Sequence, residues 1–107
     1  MGSIEKEALT ELADGIRTIL GEMLVRVLLF GSFVRGEYSE ESDIDILIIV
    51  RRKDSEAIDA VYDLAVDLQL RYDTLFSLLF VTEKQHDTWK EWESPFIESV
   101  EREGVPL

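Results

Sequence analysis

The sequence predicts a mixed α/β domain of the α+β type, in which helices pack on one small mixed sheet. The chain has 107 residues, the size of a single domain, so we expect one domain over residues 1–107. Two apolar runs of strand length, residues 25–30 and 44–50, flank a polar segment and predict two neighbouring strands. A helix-length segment then leads to a third apolar run, residues 75–81, and such a crossover would make the second and third strands parallel.

The first two helices are predicted from their caps and apolar stripes. Residues 3–20 place apolar side chains at three- and four-residue intervals, and Ser3 is suited to the N-cap position. Asp54 and Ser55 can cap a second helix that extends to about residue 72 and forms the crossover. We therefore expect one helix before the first strand and one between the second and third strands.

The last part of the chain predicts two short helices. Thr82 and Gln85 have the spacing of a capping box. Ser94 followed by Pro95 predicts the start of another helix, and Gly104 predicts its end. The predicted order is helix, strand, strand, helix, strand, helix, helix, and residues 105–107 form either a short last strand or simply the end.

The composition limits the function classes. Asp and Glu number 23 against 11 Lys and Arg, a net charge of −12, so we expect no nonspecific binding to nucleic acid. The acidity suits a basic protein partner or serves solubility. There is no cysteine for a disulfide or a thiolate metal site. The N-terminus lacks the features of a signal peptide and no run approaches about 20 apolar residues, so we expect a soluble cytoplasmic protein with no membrane partner.

The residues that suggest chemistry lie between the first two strands. Asp43 and Asp45 stand one residue apart at the start of the second strand. Residues i and i+2 of a strand point to the same face, so the two carboxylates can share a divalent cation. Gly31 and Ser32 directly follow the first strand, where exposed backbone N–H groups can meet an anion. An anion cradle beside a pair of acids predicts a site for a nucleoside triphosphate and a metal ion.

This segment resembles the signature of the nucleotidyltransferase superfamily that includes DNA polymerase β, and it is most similar to the minimal nucleotidyltransferases. The matching positions, at the family's spacing, are Gly31, Ser32, Arg35, Gly36, Ser42, Asp43, Ile44 and Asp45. The resemblance implies a mixed sheet with the motif at one edge, ATP or another NTP as the substrate, and Mg²⁺ in a site that can hold two ions. It also implies that Asp43 and Asp45 are catalytic and bind the metal.

The same resemblance assigns roles to the polar residues of the motif. Backbone at Gly31 would approach a phosphate closely, and Ser32 would donate to phosphate oxygens. Arg35 would pair with phosphate or with a carboxylate that holds the loop, and Gly36 would end the turn with a positive φ. Ser42 would cap or orient the acidic pair.

A third catalytic carboxylate usually comes, in this superfamily, from the strand after the crossover helix. Residues 75–81 contain no acid. Asp73 stands just before them and is the candidate for the third catalytic residue. The alternative is that Asp73 is a helix-end or turn residue and that the equivalent position is Leu75 or Ser77.

The sequence thus predicts an enzyme that transfers a nucleoside monophosphate, AMP from ATP, to a hydroxyl group of a protein or a small molecule. The resemblance further implies a role as the antitoxin partner of a HEPN-type toxin, and a homo-oligomer is the other predicted assembly. The alternative function is a nucleotide-binding or antitoxin interaction module with weak or no catalysis.

Aromatic residues and one histidine follow the third predicted strand. His86 is expected to be a solvated surface residue at a helix start. Trp89, Trp92 and Phe96 are expected to belong to the core or to a partner-facing patch.

Overall fold

The computed structural model describes residues 3–31, 34, 36 and 43–107. Within these ranges the elements, in chain order, are α1 (Ser3–Leu20), β1 (Leu24–Phe30), β2 (Ile44–Val50), α2 (Ser55–Tyr72), β3 (Phe76–Thr82), α3 (Glu83–Glu91), α4 (Pro95–Glu103) and β4 (Val105–Pro106). A short 3-10 turn, Gly21–Met23, joins α1 to β1. No helix in these ranges is long and apolar enough to cross a membrane.

The sheet confirms the predicted mixed architecture. Its strand order is β3-β2-β1-β4. β1 and β2 are antiparallel, β2 and β3 are parallel through the α2 crossover, and β4 pairs antiparallel with β1. β1 begins one residue earlier than predicted, at Leu24, and β3 ends one residue later, at Thr82, because both residues pair with Val50 of the central strand β2.

The predicted caps of the later helices are present. Asp54 Oδ1 accepts a hydrogen bond from the N–H of Ala57 at 3.1 Å at the start of α2. Thr82 and Gln85 form the reciprocal capping box of α3. Ser94 caps α4 ahead of a proline in its first turn. These helix starts depend on side chains within three residues of the cap, which explains why the sequence reveals them.

The two faces of the sheet are covered to different extents. α1 and α2 cover the first face, where the even-numbered residues of β2 are fully buried with Leu12, Ile16 and Leu68. α3 and α4 cover the second face only in part, through a smaller core that contains Leu28, Leu47, Ile49, Val81 and Val100. At the other end of this second face, where β2 begins, Ser77 and Leu79 are exposed. Among the described residues, the part of the sheet that carries the start of β2 is therefore the least covered part of this face.

His86 is buried, so the expectation that it is solvated is wrong. Its Nε2 atom lies 2.8 Å from Glu101 Oε1, and Arg26 Nη1 donates to the same oxygen at 2.9 Å. Partial burial alone would raise the pKa of the Glu101 carboxyl, but Arg26 first and His86 second outweigh it, and the pKa lies below its usual value. The burial of His86 depends on tertiary packing, which the local sequence does not show. Glu101 lies on α4, and because α4 packs beside α3, its carboxylate gives the buried imidazole a hydrogen-bond partner.

Candidate active site

Asp45 interrupts an otherwise buried strand. It is the second residue of β2, it is half-buried, and its neighbours Ile44 and Ile46 are fully buried. In the sheet it pairs with Phe30 of β1 on one side and with Ser77 of β3 on the other. A carboxylate in so apolar a strand costs several kcal/mol unless it is paired or binds a cation. Its position is therefore one where a specific polar interaction is required.

Asp43 and Asp45 lie at the open end of the second face. Asp43 directly precedes β2 and is exposed. The alternation of strand residues places Asp45 on the same face as Leu47, which belongs to the core beneath α3 and α4. On the β3 side of Asp45, Ser77 and Leu79 of the same face are exposed, so this carboxylate lies beside a part of the sheet that α3 and α4 leave uncovered.

The turn after β1 is in direct contact with the Asp45 carboxylate. Gly31 has a φ of +80°, a conformation that favours glycine. A Cβ atom at this position would collide with Asp45 Oδ2. The absence of a side chain at Gly31 therefore allows the backbone of the turn and the carboxylate to occupy neighbouring space.

Other motif residues are described only in part. Gly36 has a φ of +76°, which agrees with the predicted end of a turn. Ser32, Arg35 and Ser42 lie outside the described residues, so their contacts with phosphate or with the acids stay predictions.

Asp73 lies at the end of α2 and not in β3. It is the C-cap residue, with a left-handed backbone (φ 49°), and its N–H bonds to Gln69 O. Its side chain is exposed, and β3 begins three residues later, at Phe76. Among the described residues, which include Asp43 and Asp45, no three acidic or imidazole groups are close enough together to hold a metal ion. Asp73 therefore forms no three-residue cluster with Asp43 and Asp45 among the described residues, and the catalytic roles of all three stay predictions.

Ser77 occupies the position beside Asp45 on the next strand. The two residues are register partners in the parallel pair of β2 and β3, and Ser77 is exposed. Neighbouring strands lie about 4.8 Å apart, so a side chain at this position reaches the space in front of Asp45. The sequence alone left Leu75 and Ser77 as alternatives, because the choice between them requires the register of the parallel strands.

Aromatic side chains form one wall of this open end. Phe30, the register partner of Asp45, packs edge-to-face against Phe96 of α4, with ring centroids 5.4 Å apart. Phe96 is partly exposed, as are Leu79 of the adjoining strand and Leu75 just before that strand. In the described part of the chain, Asp45 thus lies between a glycine turn and partly exposed apolar side chains, an arrangement suited to a phosphorylated ligand with a flat apolar group.

Comparison with known proteins assigns the family. Residues 9–104 match the family model described as a nucleotidyltransferase domain. The chain is 37% identical over 102 residues to "Putative protein adenylyltransferase MJ0141" of Methanocaldococcus jannaschii, covering 94% of this chain and 96% of that protein. It is 32% identical over 103 residues to "Putative protein adenylyltransferase MJ0604" of the same organism, with 96% and 97% covered.

Solved structures agree with this assignment. A "putative minimal nucleotidyltransferase" is 25% identical with a TM-score of 0.54, and the match covers 99% of this chain and all (100%) of that one. A chain in the crystal structure of a mutant of the toxin-antitoxin MntA-HpeT shares the fold, with a TM-score of 0.54 at 21% identity over 95% of this chain and 70% of that one. The chain therefore belongs to the nucleotidyltransferase family, among its minimal members.

Proposed function

We propose that this protein transfers AMP from ATP to a hydroxyl group, in the first place a hydroxyl of a protein, with a divalent metal held by Asp43 and Asp45. The observation that supports the proposal is the closeness of the Gly31 turn, proposed to bind phosphate, to the Asp45 carboxylate, proposed to bind the metal. The relatives named as protein adenylyltransferases support AMP as the transferred group and protein as the acceptor. A small-molecule hydroxyl is the other acceptor class.

The residues present fit Mg²⁺. Magnesium prefers carboxylate oxygens and is held by one or two protein carboxylates together with phosphates of the substrate. Asp43 is exposed, and Asp45 lies two residues further along the chain, with Oδ2 beside the Gly31 backbone. A bound Mg²⁺ would neutralise charge on the triphosphate and so favour attack at the α-phosphate with release of pyrophosphate.

The protein's own residues supply binding and orientation. Backbone N–H groups at Gly31, with Ser32 and Arg35, would bind the phosphates. The Phe30 and Phe96 rings would contact the flat base and exclude water from one side of the site. Asp73 is the predicted third catalytic residue, and its contribution has to be measured separately because it lies in the turn that precedes β3.

A toxin partner is the proposed acceptor. The structural match to a chain of the toxin-antitoxin MntA-HpeT supports an antitoxin role, in which the protein acts on a HEPN-type toxin. The net charge of −12 suits a partner with a basic surface. An interaction module with weak or no catalysis is the second candidate, and the specific observation in its favour is that Ser77, not an acid, adjoins Asp45.

The experiment combines a transfer assay with a binding assay. The protein is incubated with ATP labelled at the α-phosphate, Mg²⁺ and the protein encoded beside it. We expect label on the acceptor, and a loss of at least about 100-fold in Asp43→Asn and Asp45→Asn. Asp59→Asn is the matched control, since Asp59 is an exposed acid on α2, and it should transfer label as the wild type does.

Two outcomes would contradict the enzyme. Label transfer that survives Asp45→Asn would exclude the proposed metal ligand. A tight complex that forms without label, and that both substitutions leave intact, would instead favour the interaction module.

A further inference from the structure

We propose that the outer edge of β3 binds the same edge of a second copy of this chain, so that two sheets join into one. β3 is the last strand of the sheet, and in the described part of the chain no strand pairs with its outer side. The backbone groups of an open edge are a template for another strand. The proposal concerns assembly and does not depend on the proposed transfer reaction.

The backbone groups of β3 alternate between the inner and the outer side. The N–H of Ile44 donates to Leu75 O at 2.8 Å, so the odd-numbered residues of this segment face β2. The even-numbered residues therefore direct their N–H and C=O groups outward. The outward residues are Phe76, Leu78, Phe80 and Thr82.

Glutamine side chains occupy both ends of this edge. The N–H of Phe76 donates to Gln69 Oε1 at 2.8 Å, so a side chain from the end of α2 occupies the first outward N–H group of the strand. The N–H of Thr82 donates to Gln85 Oε1 at 2.9 Å, so a side chain from the first turn of α3 occupies the last outward N–H group of the strand. Only the two outward residues between them keep N–H groups that make no hydrogen bond within the described residues.

The remaining window, residues 78–80, is complementary to itself. In an antiparallel ladder, two residues that face each other as a hydrogen-bonded pair exchange both of their N–H···O bonds. If Leu78 of one copy faces Phe80 of the second copy, and the reverse, every free N–H group of both windows finds a carbonyl partner. Leu79 then faces Leu79 of the second copy at the two-fold axis. The next pair on each side would join Phe76 to Thr82, whose N–H groups are already bonded within their own chain. The register that pairs Leu78 with Phe80 is therefore the antiparallel one in which the window forms two complete hydrogen-bonded pairs.

An apolar stripe on α2 lies along the same edge. Tyr62, Val66 and Leu70 are exposed by 44%, 52% and 81% and lie on successive turns of the helix. The Tyr62 ring lies 5.6 Å from the ring of Phe80, and the residue before Leu70 bonds the start of β3. Pairing of the two edges would bring the two α2 stripes together antiparallel and remove apolar surface from water.

Charge favours this edge as the place where two copies meet. The chain carries a net charge of −12, yet residues 76–82 contain no charged side chain. Natural edge strands are usually protected from one another by lysine, glutamate or proline, and β3 has none of these. The two acidic copies repel each other, and dissolved salt screens this repulsion. The hydrogen bonds and apolar contacts of the uncharged edge are not screened in this way, so added salt should strengthen the dimer.

The first test measures mass and amide exchange over a range of concentrations. Sedimentation equilibrium should show a monomer that converts to a dimer as concentration rises, with tighter association at higher ionic strength. Hydrogen exchange at Leu78 and Phe80 should slow in the same concentration range. Exchange at Phe76 and Thr82 should be slow throughout, because their glutamine partners belong to the same chain.

Two variants test the register. Leu79→Lys places like charges opposite each other at the two-fold axis and should weaken the dimer at least about tenfold. Ile4→Lys is the matched control, because Ile4 is also an exposed apolar residue but lies at the start of α1, and it should leave the association unchanged.

The chain has no cysteine, so a single introduced one reports on contact. Leu79→Cys should form a disulfide-linked dimer under mild oxidation, since Cα atoms in a pair without hydrogen bonds lie about 4.5 Å apart, within the range for a disulfide. Ser77→Cys, on the same face of the same strand, should not, because this register places the two Ser77 residues far apart.

Three results would overturn the proposal. A chain that stays monomeric at millimolar concentration would exclude the dimer. A dimer that forms equally well with Leu79→Lys would use another surface. Protection at Leu78 and Phe80 that arises only when a different protein is added would assign this edge to that protein and not to a second copy.

Discussion

Replacing Gly31 with alanine tests whether the turn after β1 sets the position of the Asp45 carboxylate. Gly31 has a φ of +80°, and a left-handed backbone costs an alanine about 1–2 kcal/mol. The new Cβ would also collide with Asp45 Oδ2. The substitution should therefore lower stability and displace the carboxylate at the same time.

Gly21→Ala separates the two effects. Gly21 also has a positive φ, +52°, but a Cβ there would meet no atom within 4 Å. This control incurs the backbone cost alone, which corresponds to a fall of about 4–8 °C in Tm per kcal/mol for a domain of this size. A displacement of about 1 Å at a reacting group costs on the order of 100-fold in rate. We therefore expect AMP transfer to fall about 100-fold in Gly31→Ala and less than about twofold in Gly21→Ala.

The assay pairs thermal unfolding with Mg²⁺-dependent transfer of label from ATP, both measured on the same preparations. Equal transfer by the two alanine variants would refute the argument that the contact between Gly31 and Asp45 matters for activity. A Gly31→Ala protein that is as stable as the wild type would refute the assigned backbone strain.

Three further predictions concern Asp73, Ser77 and Glu101. Asp73→Asn keeps a residue that tolerates the left-handed C-cap, so we expect unchanged stability and a loss of transfer below about tenfold; a loss of about 100-fold would identify Asp73 as the third ligand. Ser77→Asp adds a carboxylate beside Asp45 and should lower the Mg²⁺ concentration needed for half-maximal transfer, whereas a rise would show that the added charge disturbs the pair. Glu101 has a lowered pKa, so its contribution to stability is present above its unfolded pKa and is lost as the pH falls through the lowered folded pKa. Denaturant unfolding should show Glu101→Gln less stable than the wild type at neutral pH and the difference shrinking in acid; a constant difference would contradict the pairing with Arg26 and His86.

Local features of the fold were predictable because they depend on neighbours in the sequence. The caps at Asp54, Thr82 and Ser94 bond N–H groups within three residues, so they are recognisable without knowledge of the fold. The bounds of β2 were predicted correctly at Ile44–Val50, because its buried run is bounded by polar residues on both sides. The parallel arrangement of β2 and β3 followed from the handedness and length of a helical crossover.

Long-range relations were not predictable in the same way. The burial of His86 depends on Glu101, which lies on another helix and offers a hydrogen-bond partner only after α3 and α4 have packed. The position of Asp73 was left open because it depends on where the last turn of α2 ends and β3 begins. A difference of two residues there decides whether a side chain enters the sheet or lies in the turn before it.

The sequence by itself determined the order of the elements, the acid pair Asp43 and Asp45, and the glycine that must follow β1, because each of these is a matter of spacing along one segment. Only the tertiary structure decided which residue adjoins Asp45 on the next strand, and in the observed register that residue is Ser77. Only the tertiary structure left β3 at the open edge of the sheet. The physical reason is that register and strand order arise from hydrogen bonds between segments distant in the chain, and no local pattern encodes them.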